Sequence, residues 1–243
     1  MSRVLLVDDH PAMRDGFKAA FPAGEADAYG TLADVRAAGP PSRWSAVFVD
    51  FDLSSTTETG LSVLAYFTAA SPQTRLVVYT MLSENGRALF ALAAHQWFHV
   101  QVVLDKASGD RITMGKAADP GEDNPTAPGW KKHLHQHADL VDDLLPNAGW
   151  IPFWRAWPEL NGSLELARKK FSEPGQPEAL RKFSVQAGEA VRRFHSAFGG
   201  PAAAAMRANT ARATPVASFA LAHDHFFGAP DLEAVYHELD SAG

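Results

Sequence analysis

The 243-residue sequence predicts an α/β protein whose first half is an open, doubly wound sheet of five parallel strands and whose second half is all helical. Three observations point there. Short apolar runs without polar alternation recur through the first hundred residues, as strands buried on both faces of a parallel sheet require. Helix-like stretches separate those runs, the pattern of successive β/α units. Past about residue 107 strand signals become few and helical spacing takes over.

The clear strands are Val4–Val7, Ala46–Val49, Leu76–Tyr79 and Val100–Leu104, and a weaker one lies near Ala26–Gly30. Helices are expected at roughly 11–21, 31–38, 58–70 and 84–96, with Pro72 and the Gly39-Pro40-Pro41 group as stops. Residues 107–130, dense in Gly, Pro, Asp and Asn, read as a linker or long loop. Lys131–Leu145 then reads as a helix, with Leu134, Ala138, Val141, Leu144 and Leu145 on its apolar side. Beyond Pro146 the chain reads as helical, with a break at Gly199-Gly200-Pro201 and two final helices within Pro215–Asp240. The expected division is an α/β domain over 1–115, a linker and connecting helix over 116–145, and an all-helical domain over 146–243.

Composition narrows the chemistry. Hydrophobic residues make up 46% and charged residues 21%, enough for a packed core and too apolar for wholesale disorder. The absence of cysteine excludes disulfides, thiolate metal sites and cysteine nucleophiles together. No apolar run approaches the roughly 20 residues that cross a bilayer, and the opening MSRVLLVDDH is not a secretory signal. A cytoplasmic protein without a membrane partner is expected. The net charge of −6 conceals a pattern: 12 Lys+Arg against 18 Asp+Glu over 1–149, 10 against 5 over 150–212, and 0 against 5 over 213–243. The basic block suits either an anionic partner or a solvated helical surface.

Open parallel sheets bind ligands beyond the carboxyl ends of their strands. Asp8 and Asp9 follow the first strand, Asp50 ends the third, Thr80 ends the fourth and Lys106 follows the fifth. Carboxylates brought together repel and need a hard cation to ionise side by side, for which Mg²⁺ with water and phosphate oxygens is suited. With a hydroxyl and an ammonium at neighbouring strand ends, the set makes a phosphoryl-transfer site.

This arrangement resembles the receiver domain of two-component response regulators, and RVLLVDDHPAMRDGF is similar to the NarL/FixJ subgroup. The resemblance implies a flavodoxin-like sheet and a regulator limited, as a catalyst, to self-catalysed phosphotransfer and dephosphorylation. It implies that Asp50, in VFVDFDL, accepts a phosphoryl group from a sensor histidine kinase. Asp8 or Asp9, Asp50 and the backbone carbonyl of Asp52 would hold Mg²⁺, while Thr80 and Lys106 would meet the phosphoryl group. The sequence departs from the family at Ser54 and Ala107, where proline is usual, and at Val103, where an aromatic switch residue is common.

The subgroup usually carries a LuxR-type helix-turn-helix, and residues 151–198 resemble it in element order and in the turn Asn161-Gly162-Ser163. The resemblance implies a DNA-binding transcription regulator acting as a homodimer. Arg168, Lys169 and Lys170 would contact phosphates, and Arg181, Lys182, Gln186, Arg192 and Arg193 lie on the helix that would read bases. Amphipathic helices with basic solvent faces describe many bundles, so a helical half that binds a protein partner instead, with or without phosphorylation control, is the alternative. Trp150, Phe153, Trp154 and Trp157 read as core. The acidic tail could extend the output domain, contact the receiver or form a dimer interface. His133, His135, His137, His223 and His225 read as helix-end or linker residues rather than metal ligands.

Overall fold

The structure is a computed structural model that describes residues 3–53, 55–83, 86–107, 109–160, 166, 169, 177–198 and 213–242, with main chain alone at 158–159, 177–184, 213–214 and 242. Five strands, β1 (Arg3–Val7), β2 (Ala26–Tyr29), β3 (Trp44–Val49), β4 (Arg75–Thr80) and β5 (Val102–Asp105), form one sheet in the order β2-β1-β3-β4-β5. Every pairing is parallel, and the register aligns Val7 with Val49 and Val49 with Val78. This is the flavodoxin-like strand order, with its reversal beside β1 and β3.

The strands lack polar alternation because both faces are covered. Leu5, Val7, Val47, Val49, Val78 and Val103 face one helical layer, containing α2 (Leu32–Ala38), α3 (Gly60–Ala70) and α4 (Arg87–Phe98). Leu6, Ala46, Phe48, Val77 and Leu104 face the other, containing α1 (Pro11–Ala20) and α5 (Arg111–Ala118). Helix α5 falls inside the stretch expected to be a linker. Only Met114 and Ala117 of it are buried, so its apolar face is too narrow to stand out among Gly and Asp, although Asp110 caps it by accepting from Thr113 N at 2.7 Å. The chain after α5 also stays on the sheet: buried Thr126 accepts from Val103 N at 2.8 Å, satisfying a donor of edge strand β5.

The second half is helical, with α6 (Pro128–His137), α7 (Leu140–Leu144), α8 (Trp150–Glu159), α9 (Pro177–Phe198), α10 (Ala213–Ala222), α11 (Asp224–Phe227) and α12 (Leu232–Ala242). The single helix expected over Lys131–Leu145 is two, breaking at Ala138–Asp139, and the two helices expected at the end are three. These helices do not build a core of their own. Trp154, Phe219, Phe226, Phe227 and Leu232 belong to the same buried cluster as α3, α4 and the inner faces of β1, β3 and β4. Helix α4 lies between sheet and helices, and Leu89–Ala94 are all buried, which explains a segment apolar on every side. Among the described residues no helix is long and apolar enough to cross a membrane.

Candidate functional site

The register of the sheet determines what meets at its carboxyl edge. Asp8 N donates to Tyr29 O at 3.0 Å, Asp50 N to Val7 O at 3.0 Å and Lys106 N to Thr80 O at 3.0 Å, so the residues leaving β1, β3 and β5 stay level with their neighbours. Lys106 Nζ lies 2.5 Å from Asp50 Oδ2 and 2.7 Å from Asp8 Oδ2. Thr80 Oγ1 and Phe51 N donate to Asp50 Oδ1 at 2.7 and 2.8 Å. Asp8 and Thr80 are wholly buried and Asp50 is 5% exposed, while Asp9 stands nearer the mouth beside exposed His10. Asp8, Asp50, Thr80 and Lys106 therefore converge, with Asp9 at the rim.

Burial pushes the Asp50 carboxyl above the usual carboxylate range; the Lys106 charge and its hydrogen bonds pull the other way and do not overcome it. Burial disfavours the Lys106 ammonium, but Asp50 and Asp8 outweigh that and hold it above an ordinary lysine. Tyr79, on β4, is pushed up to about 12 by burial and then by the charges of Asp8, Asp50 and Asp105. Asp50 is thus raised by burial and Lys106 by its two carboxylate neighbours, two different causes within one pocket. Asp8 and Asp50 set two buried carboxylates against the one ammonium of Lys106, with the Asp9 carboxyl beside His10 at the mouth, and oxygen donors with surplus negative charge fit a hard divalent cation. Carboxylate and imidazole atoms of Asp8, Asp9 and His10 also lie within 4.8 Å of one another.

The turns around the pocket depend on residues whose roles the sequence left unmarked. Arg14 Nη1 donates to the carbonyls of Asp8 (2.8 Å) and Asp9 (2.6 Å), holding the turn after β1, and His10 N donates to Asp8 Oδ1 at 2.8 Å. Gly60 opens α3 so close to β3 that a Cβ there would collide with the Asp50 carbonyl oxygen, and its N–H donates to Phe51 O at 2.8 Å. Arg87 pairs with Asp52 and sets its guanidinium 4.9 Å from the Phe51 ring. Both arginines read as ordinary helix charges in the sequence; Arg14 folds back on the turn just before its helix, and the partner of Arg87 comes from the loop after β3.

The expected DNA-contacting residues are only partly described. Arg168 and Lys170, like the turn at Asn161–Ser163, lie outside the described residues, as do the side chains of Arg181 and Lys182. Lys169, Gln186 and Arg192 are exposed. Arg193 reaches Asp139 at 2.7 Å and pairs with Asp143, so its charge is balanced within the chain. Trp150, Phe153, Trp154 and Trp157 are buried, with Trp154 stacked 4.7 Å from Phe227. His133 stacks on Phe198 at 4.4 Å, and His223 lies between Phe219 and Phe194.

Compared by sequence, the chain matches no family model and no curated protein. Among solved structures it is similar to RcsB from Salmonella enterica serovar Typhimurium bound to the promoter rprA with a phosphomimetic beryllofluoride, at 15% identity and a TM-score of 0.42, over 89% of this chain and 98% of that one. It is also similar to a Salmonella typhimurium RcsB response regulator studied for conformational dynamism in DNA interaction, at 16% identity and a TM-score of 0.42, over 82% and 92%. The chemistry assigned to this chain rests on its own sheet, a doubly wound five-stranded fold that gathers three carboxylates, a hydroxyl and an ammonium at one edge.

Proposed function

We propose that this chain is a two-component response regulator of the NarL/FixJ type, in which Asp50 accepts a phosphoryl group from a sensor histidine kinase and the helical half acts on DNA as a transcription regulator. One observation carries the reading: Asp50 meets Thr80, Lys106 and Asp8 at 2.5–2.8 Å or through a shared partner, at the edge where such sheets bind ligands. An ionised Asp50 oxygen attacks the phosphorus of a phosphoimidazole. The new O–P bond forms as the P–N bond breaks, its electron pair stays on the imidazole, and the product is an aspartyl phosphate. Lys106 balances the negative charge that arrives, and the Thr80 hydroxyl is free to donate to a phosphoryl oxygen once it leaves Asp50. Asp8, Asp9, Asp50 and the carbonyl of Asp52 would hold Mg²⁺, which when bound supplies further positive charge to the phosphoryl oxygens.

The test is incubation with a small phosphodonor and Mg²⁺, followed by a phosphate-retarding gel. The parent takes one phosphoryl group and Asp50→Asn takes none; label that persists in the variant overturns the assignment. For the output, the expected result is a gel shift whose affinity falls linearly in log–log form with salt. The internal neutralisation of Arg193 and the core shared between helices and sheet favour a second reading, in which the helical half binds a protein. Salt-insensitive capture of one protein without any DNA shift is the result that reading requires.

A further inference from the structure

The last thirty residues return to the loops that frame the acid pocket, and they do so through a buried carboxylate. Asp231, 5% exposed, accepts from Thr59 N at 2.6 Å and Ser62 N at 3.2 Å, and from the hydroxyls of Thr59 (2.9 Å) and Ser62 (2.7 Å). It thereby completes the N-terminus of α3, the helix that begins where the Asp50 loop ends, from 172 positions away in the chain. Five residues earlier Phe226 stacks on Phe51 at 6.3 Å, and Phe51 is the residue whose N–H donates to Asp50 Oδ1. Phe226 also sits against Gly86, the left-handed cap of α4, on the loop that follows Thr80. The far side of the segment is anchored to the helices: Arg155 donates to Phe227 O at 2.9 Å and to Ala229 O at 2.7 Å. One short stretch thus touches both loops that leave the acid site and is tied to the helical half behind it.

We propose that residues 223–231 form a clip whose seating is coupled to occupancy of Asp50: a phosphoryl-like group on Asp50 loosens the clip, and the clip in turn weakens binding of that group. This coupling rests on the phosphoacceptor reading of Asp50 and adds the route by which the site reaches the helices. The physical reason lies in the crowding around the carboxylate. Both Asp50 oxygens are already committed, to Phe51 N, Thr80 Oγ1 and Lys106 Nζ, and the side chain is buried, so a tetrahedral group there displaces Phe51 and Thr80 from their present positions. Phe51 cannot move without disturbing its stack with Phe226. Binding linkage is reciprocal, so weakening the clip by mutation strengthens binding at Asp50 by the factor by which binding weakens the clip.

The experiment uses the full chain with beryllofluoride and Mg²⁺, bound fluoride being followed by fluorine NMR and the backbone by hydrogen exchange. Asp231→Asn and, on the other side of the contact, Ser62→Ala are expected to bind beryllofluoride at least about fivefold more tightly than the parent, within the usual range for coupled sites. In the parent, saturation is expected to speed exchange across residues 223–242 and to leave β1 unchanged. Ser62→Ala leaves the terminal helices intact, so the comparison survives if Asp231→Asn fails to fold. Equal affinities in parent and variants, or unaltered exchange at 223–242, overturn the coupling while leaving Asp50 as the acceptor. A parent and variants that bind no beryllofluoride overturn the phosphoacceptor reading and the coupling with it.

Discussion

On the α1/α5 side of the sheet a single helical layer separates Phe48 and Leu104 from water, whereas on the other side α4 lies beneath further helices drawn from residues 128–242. The two sides differ in their helices accordingly. Helix α1 buries only Phe17 outright and exposes its other side, as a surface helix does; α4 buries an unbroken run from Leu89 to Ala94. Hydrogen bonds fasten α4 and the helices beyond it to one another. Gln96 and Trp97 of α4 donate to Asp142 of α7 at 2.6 and 3.0 Å, and Tyr236 of α12 donates to Leu145 O at 2.9 Å. A helix that is apolar all round needs a second partner. Here the helical half supplies it, so that half is part of the fold's interior as well as a candidate output.

The strongest way to break this contrast is to open the shared core. Trp154→Ala removes a wholly buried indole that stacks on Phe227 and donates to Leu144 O at 2.7 Å. It is expected to cost about 3–5 kcal/mol, with calorimetry giving one transition, moved as a whole. A variant whose helices melt first and leave the sheet's transition in place would mean that the two halves fold separately.

Acid probes the same region by another route. Burial lowers His223 to about 4; its hydrogen bond to Phe219 O at 2.9 Å pulls upward, and the nearby His195 adds a smaller downward push. The unfolded chain therefore binds this proton more readily than the folded one. The stabilisation is complete above about pH 6.5 and is lost as pH falls towards 4, by on the order of 3 kcal/mol. Denaturant unfolding across that window is expected to show a shallower acid limb in His223→Leu than in the parent; parallel limbs would remove His223 from the account.

A smaller effect belongs to the edge of the sheet. Thr126→Val keeps the shape but leaves Val103 N without its acceptor, at an expected cost of about 1–3 kcal/mol, with faster exchange of that amide. Protection retained at Val103 would show that 119–127 is not bound to β5. The smallest effect is expected on the single-layered side: Ile112 is 71% exposed on α5, and Ile112→Ser should change stability by less than about 0.5 kcal/mol. A larger loss would mean that this face is covered too.

The strands were legible because a two-faced sheet demands local runs such as LLV and VFV, and the acid pocket was legible because a parallel register brings successive strand ends level. Asp8, Asp50, Thr80 and Lys106 could be named from their places at those ends alone. Helix α5 was missed for lack of an apolar face, and the breaks at 138–139 and 223 carry neither Pro nor Gly to mark them. Asp231 was one acid among five in a tail without Lys or Arg; nothing nearby in sequence distinguishes it from Glu233 or Asp240.

By itself, then, the sequence determined the sheet, its two covered faces and the residues at its carboxyl edge, because each follows from a pattern within a few neighbouring positions. Tertiary structure alone decided that the helical half packs over α4, that Arg14 and Arg87 hold the turns of the pocket, and that Asp231 closes α3. The Arg87 and Asp231 pairings join residues tens to hundreds of positions apart, and even the short reach of Arg14 depends on how the turn after β1 folds; charge, burial and hydrogen-bond capacity select such partners only once the chain has brought them together.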